Sequence, residues 1–314
     1  MLQIIIRRTL IAIPTLFMVS VIIFLMQKLL PGDPALMLAG EIRDPAVLES
    51  IREQYHLNEP LVVQYQYWAM QILSGDLGVS LRTEVPVSTL IGQKLPVTFQ
   101  LSLVAMMIAL LIGVPAGIVS AVRQNTMIDY SVNLLALGGM SIPNFWLGII
   151  MIMVISVGWG LLPASGFVSI MDDPSAFLAH ILMPAFVLST PISAYLMRHT
   201  RSAMLGVLRS DYIRTARAKG APPHMVVLKH ALRNALTPIV TMTTLLFGEL
   251  LAGAVLTEQI FGIPGFGKLI VDAVFARDYA VVQGVVLLTA ALFILLNLIA
   301  DVLYYLITPR MRYA

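Results

Sequence analysis

Residues 98–122 read TFQLSLVAMMIALLIGVPAGIVSAV, twenty-five positions without one Asp, Glu, Lys or Arg. A helix rises about 1.5 Å per residue, so this run can cross a hydrocarbon core of about 30 Å. It is continuously apolar rather than alternating, which favours a helix over a barrel strand. Five further runs have the same character: Thr9 to Leu30, Ser131 to Val157, Phe177 to Met197, Pro238 to Leu256 and Val281 to Ile307. The first follows Arg7 and Arg8 as a signal peptide would, but its apolar stretch exceeds a signal core of about 7 to 15 residues and reads as a retained helix. The expectation is an all-α polytopic membrane protein with six transmembrane helices.

Composition agrees. The chain has 314 residues, 58% of them apolar and 12% charged, whereas a soluble domain carries about 25% charged residues. Too few charges remain to cover a water-facing surface. The absence of Cys excludes a disulfide framework, a thiol nucleophile, an iron–sulfur ligand set and a C-x-x-C zinc site. The formal charge is only +3, and the distribution of charge carries more meaning than that sum: nucleic acid is not an expected partner.

Sorting charges between alternate loops sets a direction. Arg7, Arg8, Arg123, Arg198, Arg201, Arg209, Arg214, Arg217, Lys219, Lys229, Arg233, Arg310 and Arg312 fall on one side with only Asp129 and Asp211. The positive-inside rule then places both termini and the fourth loop in the cytoplasm. Glu249 and Asp301 are left inside spans.

This layout divides the chain into residues 1–30, with the first span, 31–97, an extracytoplasmic loop subdomain, and 98–314, a five-helix core with a cytoplasmic loop at about 198–237. In the outer loop, Asp44 before Pro45 and Asn58 near Pro60 are cap-like signals, and Leu61 to Leu73 carries Tyr65, Tyr67 and Trp68. Aromatic residues of that kind suit a helix along the headgroup region. In the cytoplasmic loop, Ser210 is positioned to cap a short basic helix, and Gly220 with Pro222 and Pro223 stops it.

Several motifs have competing readings. Gly262-Ile-Pro-Gly-Phe-Gly267-Lys268 has P-loop spacing, but Leu269 stands where a magnesium-binding Ser or Thr is needed, and the loop lies outside the cell. It reads as a turn-rich loop, and no nucleotide site is expected. Glu249 in the fifth span either lines a pathway, with Gly248 and Gly253 beside it, or makes an interhelical hydrogen bond. Gly113-x-x-x-Gly117 with Pro115, and Gly138-Gly139 before Pro143, favour close packing or bending. The histidines, His56, His180, His199, His224 and His230, form no H-x-x-x-H pair, so neither a catalytic site nor a metal site is expected. The fourth loop's cations could hold topology or bind anionic membrane lipid, yet a capped helix is more than topology needs and suggests docking of a cytoplasmic partner.

Asp211-Tyr-Ile-Arg-Thr-Ala-Arg-Ala-Lys-Gly220, followed by Lys229-His-Ala-Leu-Arg-Asn-Ala235 and Pro238, resembles the coupling segment of the dipeptide, oligopeptide and nickel permeases, a family of ATP-binding-cassette importers. Leu30-Pro-Gly-Asp-Pro34, Gly75-Asp-Leu-Gly-Val-Ser80, Gly139-Met-Ser-Ile-Pro-Asn-Phe-Trp146, Glu258-Gln-Ile-Phe-Gly-Ile-Pro-Gly-Phe-Gly267 and Arg277-Asp-Tyr279 resemble the same family. Against the general EAA-x-x-x-G pattern, Ala216, Gly220 and Leu232 fit, while Arg214, His230 and Arg233 depart from it.

The resemblance implies a type I importer permease fold in a bacterial cytoplasmic membrane, with no enzyme activity and no cofactor on this chain. It implies a heterodimer with a second related permease, two cytoplasmic ATPase subunits and an extracytoplasmic substrate-binding protein. Asp211, Tyr212, Arg214, Thr215, Ala216, Arg217, Ala218, Lys219 and Gly220 would form the coupling helix. Short peptides, di- or oligopeptides or glutathione-like ones, are the expected cargo. A nickel or metal-chelate route is the alternative, disfavoured because the spans offer His180 and no Cys as ligands. An ion-coupled secondary transporter would need inverted repeats and more intramembrane ionisable groups, and a membrane enzyme would need a polar cluster at one interface.

Overall fold

A computed structural model of the chain describes residues 2–29, 44–54 and 56–307. The Leu30-to-Pro34 motif, Arg310 and Arg312 lie outside the described residues, as do the side chains of Arg7 and Asp301. The described chain is almost wholly helical, with an isolated bridge between Val79 and Pro86. In order, the helices are α1 Leu2–Leu29, α2 Pro45–Gln54, α3 Leu61–Leu73, α4 Val87–Val122, α5 Met127–Ser141, α6 Asn144–Met151, α7 Pro174–Leu208, α8 Asp211–Ala218, α9 Pro223–Met225, α10 Leu232–Gly253, α11 Val255–Ile260, α12 Phe266–Phe275 and α13 Tyr279–Ile307. The segments Ile152–Gly158 and Val226–Ala231 are wider π turns that extend α6 and join α9 to α10.

Four helical stretches among the described residues are long and apolar enough to cross a membrane: Val87–Val122, Pro174–Leu208, Pro223–Leu251 and Tyr279–Ala300. A further pair of helices passes the same test only when taken together, as a broken span or a re-entrant loop. The run expected as a straight span from Ser131 to Val157 bends by 95° between α5 and the α6 segment. Pro143 explains the break, because a proline drives the residue before it out of the helical region, and Ile142 is extended at φ −77°, ψ 122°. The first expected run falls in α1, whose apolar stretch is Leu10–Met26, shorter than the other spans.

Two helices run well beyond their hydropathic cores. Hydropathy suggests that the fourth span ends at Met197 and the fifth starts at Pro238, but α7 continues to Leu208 and the fifth crossing starts at Pro223. Pro238 is an interior proline of α10, not its first turn. The segment joining these helices is therefore short, and Arg198, Arg201, Lys229 and Arg233 belong to helices rather than to a loop.

The chain forms two compact units, one from Pro96–Lys268 and Leu295–Ala314, the other from Leu2–Leu95 and Leu269–Ile294. In the first, α7 is the central helix and packs on α5 and α10. Small residues bring α4 against it: a Cβ at Gly113 would lie 2.6 Å from the Ser193 carbonyl oxygen, and one at Gly117 would lie 2.6 Å from that of Met197. Gly113-x-x-x-Gly117 thus permits backbone-to-backbone contact. The core around this crossing contains Leu101, Ala105, Ala109, Ile181, Leu188, Leu196, Leu250 and Phe261.

In the second unit, α3 packs on α1. Phe24 meets Tyr65 at 5.5 Å and Trp68 at 5.6 Å between ring centroids, and Trp68 Nε1 donates to Gln283 Oε1 at 3.1 Å. These two aromatic side chains thus pack α3 within its unit. Asp44 does cap α2, accepting from the Ala46 amide at 2.9 Å. Asn58 does not cap α3; its Nδ2 donates to Glu49 Oε1 at 2.7 Å, and Pro60 occupies the cap position.

Candidate functional site

The helix α8 is built from a start signal, one apolar anchor and a stop. Ser210 is extended at φ −74°, ψ 155°, and Asp211 supplies an acid to the first turn, where the helix dipole favours negative charge. The Ser210 hydroxyl does not cap the helix as its position suggested. It donates to the Val207 carbonyl at 2.6 Å.

The stop is a left-handed glycine. Gly220 has φ +79°, its amide donates to the Arg217 carbonyl at 2.9 Å, and the Ala221 amide donates to that of Ala216 at 3.2 Å. This paired 6→1 and 5→2 arrangement satisfies carbonyls that a helix end otherwise leaves open. Pro223 then opens the next helix at a position where its missing N–H costs nothing.

Ile213 anchors α8. It is completely buried in a cluster with Ala121, Met204, Val226, Ala231, Ala235 and Ile239, and burial of such a side chain contributes about 1.5 to 3 kcal/mol. Tyr212 Oη also accepts from Asn234 Nδ2 at 2.7 Å. Of the residues expected to couple, Ala216 is half-buried, while Asp211, Tyr212, Arg214, Thr215, Arg217, Ala218, Lys219 and Gly220 are exposed. The Arg214–Asp211 pair, 3.0 Å apart, is open to solvent and contributes little to stability. The result is a rigid polar rod held by one apolar peg. Ile213 was legible as the lone aliphatic branch in a basic helix but was not singled out.

Beside this segment lies a buried ion pair that sequence sorting missed. Arg201 on α7 grips Asp129 on α5 with both forks: Nε to Oδ1 and Nη2 to Oδ2, each at 2.8 Å. Ser120 of α4 donates to the same carboxylate, as do Asn133 Nδ2 at 2.8 Å and the Asn125 amide at 3.0 Å. One carboxylate therefore ties three membrane helices together. Hydropathy had assigned Asp129 and Arg201 to loops, because the helices that hold them extend past their apolar cores.

In the Glu258-to-Lys268 stretch, the amides of the P-loop-like spacing are taken up by internal partners. The amide of Phe266 donates to Thr98 Oγ1 at 2.7 Å and the amide of Lys268 to Glu258 Oε2 at 2.7 Å, with the Gly267 amide also bonded to Glu258. Thr98 and Glu258 are themselves hydrogen-bonded. The N-terminus of α12 thus holds an internal carboxylate in the place where such a terminus could hold an external anion. Burial pushes the Glu258 carboxyl up, while the Thr98 hydroxyl and the amides pull the other way.

A parallel closure joins two other motifs in the second unit. Ser80 donates to Asp278 Oδ2 at 2.5 Å, and both are buried, so the Gly75-to-Ser80 and Arg277-to-Tyr279 stretches form one structure. The three residues expected along a pathway differ in environment. Gly248 is buried and Gly253 is the last residue of α10, while Glu249 is exposed and hydrogen-bonds to none of the described residues. Glu249 lies four residues before α10 stops at Gly253, nearer a helix end than the Pro238-to-Leu256 run suggested.

Residues 113–313 match the family of binding-protein-dependent transport system inner membrane components, and residues 1–102 match the N-terminal family of such membrane components. The chain is 44% identical over 312 residues to the oligopeptide transport system permease protein AppB of Bacillus subtilis, covering 98% of this chain and 99% of the relative. It is 41% identical over 337 residues to the dipeptide transport system permease protein DppB of Escherichia coli, covering 100% and 99%. Among solved structures, an inward-facing form of the MetNI methionine ABC transporter aligns with a TM-score of 0.59 at 21% identity, over 70% of this chain and 97% of that one, a likeness of fold.

Proposed function

We propose a function from one premise: this chain belongs to the family of binding-protein-dependent transport system inner membrane components. It is an ABC importer permease of the bacterial inner membrane, with the all-α type I importer permease fold and peptide permeases among its relatives. The finer reading is that it forms half of a translocation path for short peptides, paired with a second related permease. Two cytoplasmic ATPases would supply the driving force, and an extracytoplasmic binding protein would deliver the cargo.

The observation that carries this reading is α8, a short exposed rod fixed by Ile213 and stopped by Gly220 between two membrane crossings. Closure of an ATPase against its polar face would push α7 and α10 as rigid bodies, a two-state gating step. The burial of Ile213 beside Met204 and Ala235 supports that reading, since force on α8 reaches both helices through packed atoms.

Gentle purification of the tagged chain from its own cells, followed by peptide uptake with the isolated complex in liposomes, tests the proposal. Two ATPase subunits and a second permease should co-purify, and uptake of labelled di- and tripeptides should require ATP and the binding protein. Uptake driven by an ion gradient without ATP, or accumulation of nickel with no peptide uptake, would overturn it.

A further inference from the structure

One turn apart on α7, two arginines stand in opposite situations. Arg201 is neutralised by Asp129 in a bidentate pair. Arg198 has Met140 Sδ at 3.8 Å as its side-chain contact, with no carboxylate among the described residues paired to it. It is exposed, and it shares one helix face with Tyr195, His199 and Ser202, at the i, i+3, i+4 and i+7 spacing of a continuous stripe. These four residues line an open pocket of about 330 Å³. Between them, Leu196, Met197 and Thr200 are buried, so the stripe is a face that α7 does not use for packing within its unit.

The apolar run of α7 ends at Met197, so Tyr195 lies at its end and Arg198, His199 and Ser202 lie just past it. Charged side chains at that margin face water or a protein partner rather than lipid tails. The stripe offers a guanidinium, an imidazole, a phenol and a hydroxyl, and contains no acid. That set is suited to an anionic oxygen group, and guanidinium matches a carboxylate fork for fork.

We propose that the Tyr195–Arg198–His199–Ser202 face of α7 receives the free carboxylate of the cargo peptide. The inference rests on the peptide-path reading above and adds to it which end of the cargo is held and by which residue. The face lies in the last four or so turns of α7, so the carboxylate sits at the end of the path adjoining α8. Arg198 is the charge that selects it. The same charge repels the amino terminus, which orders the peptide in the path.

The test uses the complete complex with its binding protein in proteoliposomes, and compares a labelled tripeptide with its C-terminal amide for the unaltered chain, Arg198→Gln and Arg198→Lys. Reading each cargo across the variants cancels any preference of the binding protein. Arg198→Gln should raise the apparent KM for the free acid roughly tenfold, as loss of a charged hydrogen bond predicts, and leave that for the amide within about twofold. Arg198→Lys should keep a preference for the acid. A lipid phosphate offers similar oxygens, so the comparison is repeated with and without anionic lipid. Equal losses for both cargos, or a loss that follows anionic lipid content and ignores the cargo carboxylate, would overturn the inference and leave the peptide reading intact. Absence of peptide uptake by the unaltered complex would overturn the peptide reading, and this inference with it.

Discussion

The carboxylate of Glu258 occupies the space that any side chain on Gly265 would need. A Cβ at that position would collide with both carboxylate oxygens, and the collision cannot be relieved cheaply, because Glu258 is fully buried and held by Thr98 and the first amides of α12. The glycines that imitate a nucleotide loop therefore make room for an internal carboxylate.

Gly265→Ala should push Glu258 off its donors and leave buried amides unsatisfied, at a cost of about 2 kcal/mol or more. Thermal unfolding of the purified complex checks this against Gly92→Ala, a helical position with nothing within 4 Å of the added methyl group. Equal melting temperatures for the two variants would refute the account of the loop.

Breaking the Asp129–Arg201 pair from one side should be worse than replacing both partners. Asp129→Asn leaves the guanidinium without a counter-charge, at a cost of about 3 kcal/mol, whereas Asp129→Leu with Arg201→Met should recover much of that. Melting curves of the single and double variants decide it, and a double variant less stable than the single would show that the pair does more than compensate its own burial.

Gly220 sits at φ +79° with open space around it, so a side chain there strains the backbone alone, by about 1 kcal/mol. Gly220→Val should permit assembly of the complex and ATP hydrolysis while lowering transport, because α8 leaves its angle. Normal transport by this variant would remove α8 from the coupling role.

Asp173 caps α7, accepting from the Ser175 amide at 2.8 Å, the Ser175 hydroxyl at 2.7 Å and the Ala176 amide at 3.1 Å. Chiefly through the Ser175 hydroxyl, then the amides, these donors hold its carboxyl below the ordinary value of 3.8. A depressed acid contributes stability above its unfolded pKa and loses it as pH falls through the folded one. Hydrogen exchange at the Ser175 and Ala176 amides should therefore become less protected below about pH 3.8, and Asp173→Ala should abolish that pH dependence. Protection unchanged across that range would contradict the cap.

Orientation can be read with single cysteines, since the chain contains none of its own. Thr83→Cys and Met171→Cys, both exposed, should react with an impermeant thiol reagent added outside cells, whereas Thr215→Cys and Ala218→Cys should not. Strong outside labelling at Thr215→Cys would invert the orientation taken from the basic residues.

Hydropathy alone revealed an all-helical membrane chain, because a segment such as Thr98 to Val122 has few other ways to satisfy its backbone in lipid. Local chemistry was equally legible where it acts over a few residues: Gly220 stops a helix whatever surrounds it, and Asp44 caps one. The ends of the crossings were not legible. Pro238 lies inside a helix and Asp129 inside a buried pair because neighbouring helices supply the partners that a single strand of sequence cannot display. The same holds for Glu258, 160 residues from the Thr98 hydroxyl that bonds to it. Its acid looked like one more loop charge until packing removed the water around it and brought three donors to it. Burial is a property of the assembled helices, and it is burial that separates the paired Arg201 from the open Arg198 one turn away.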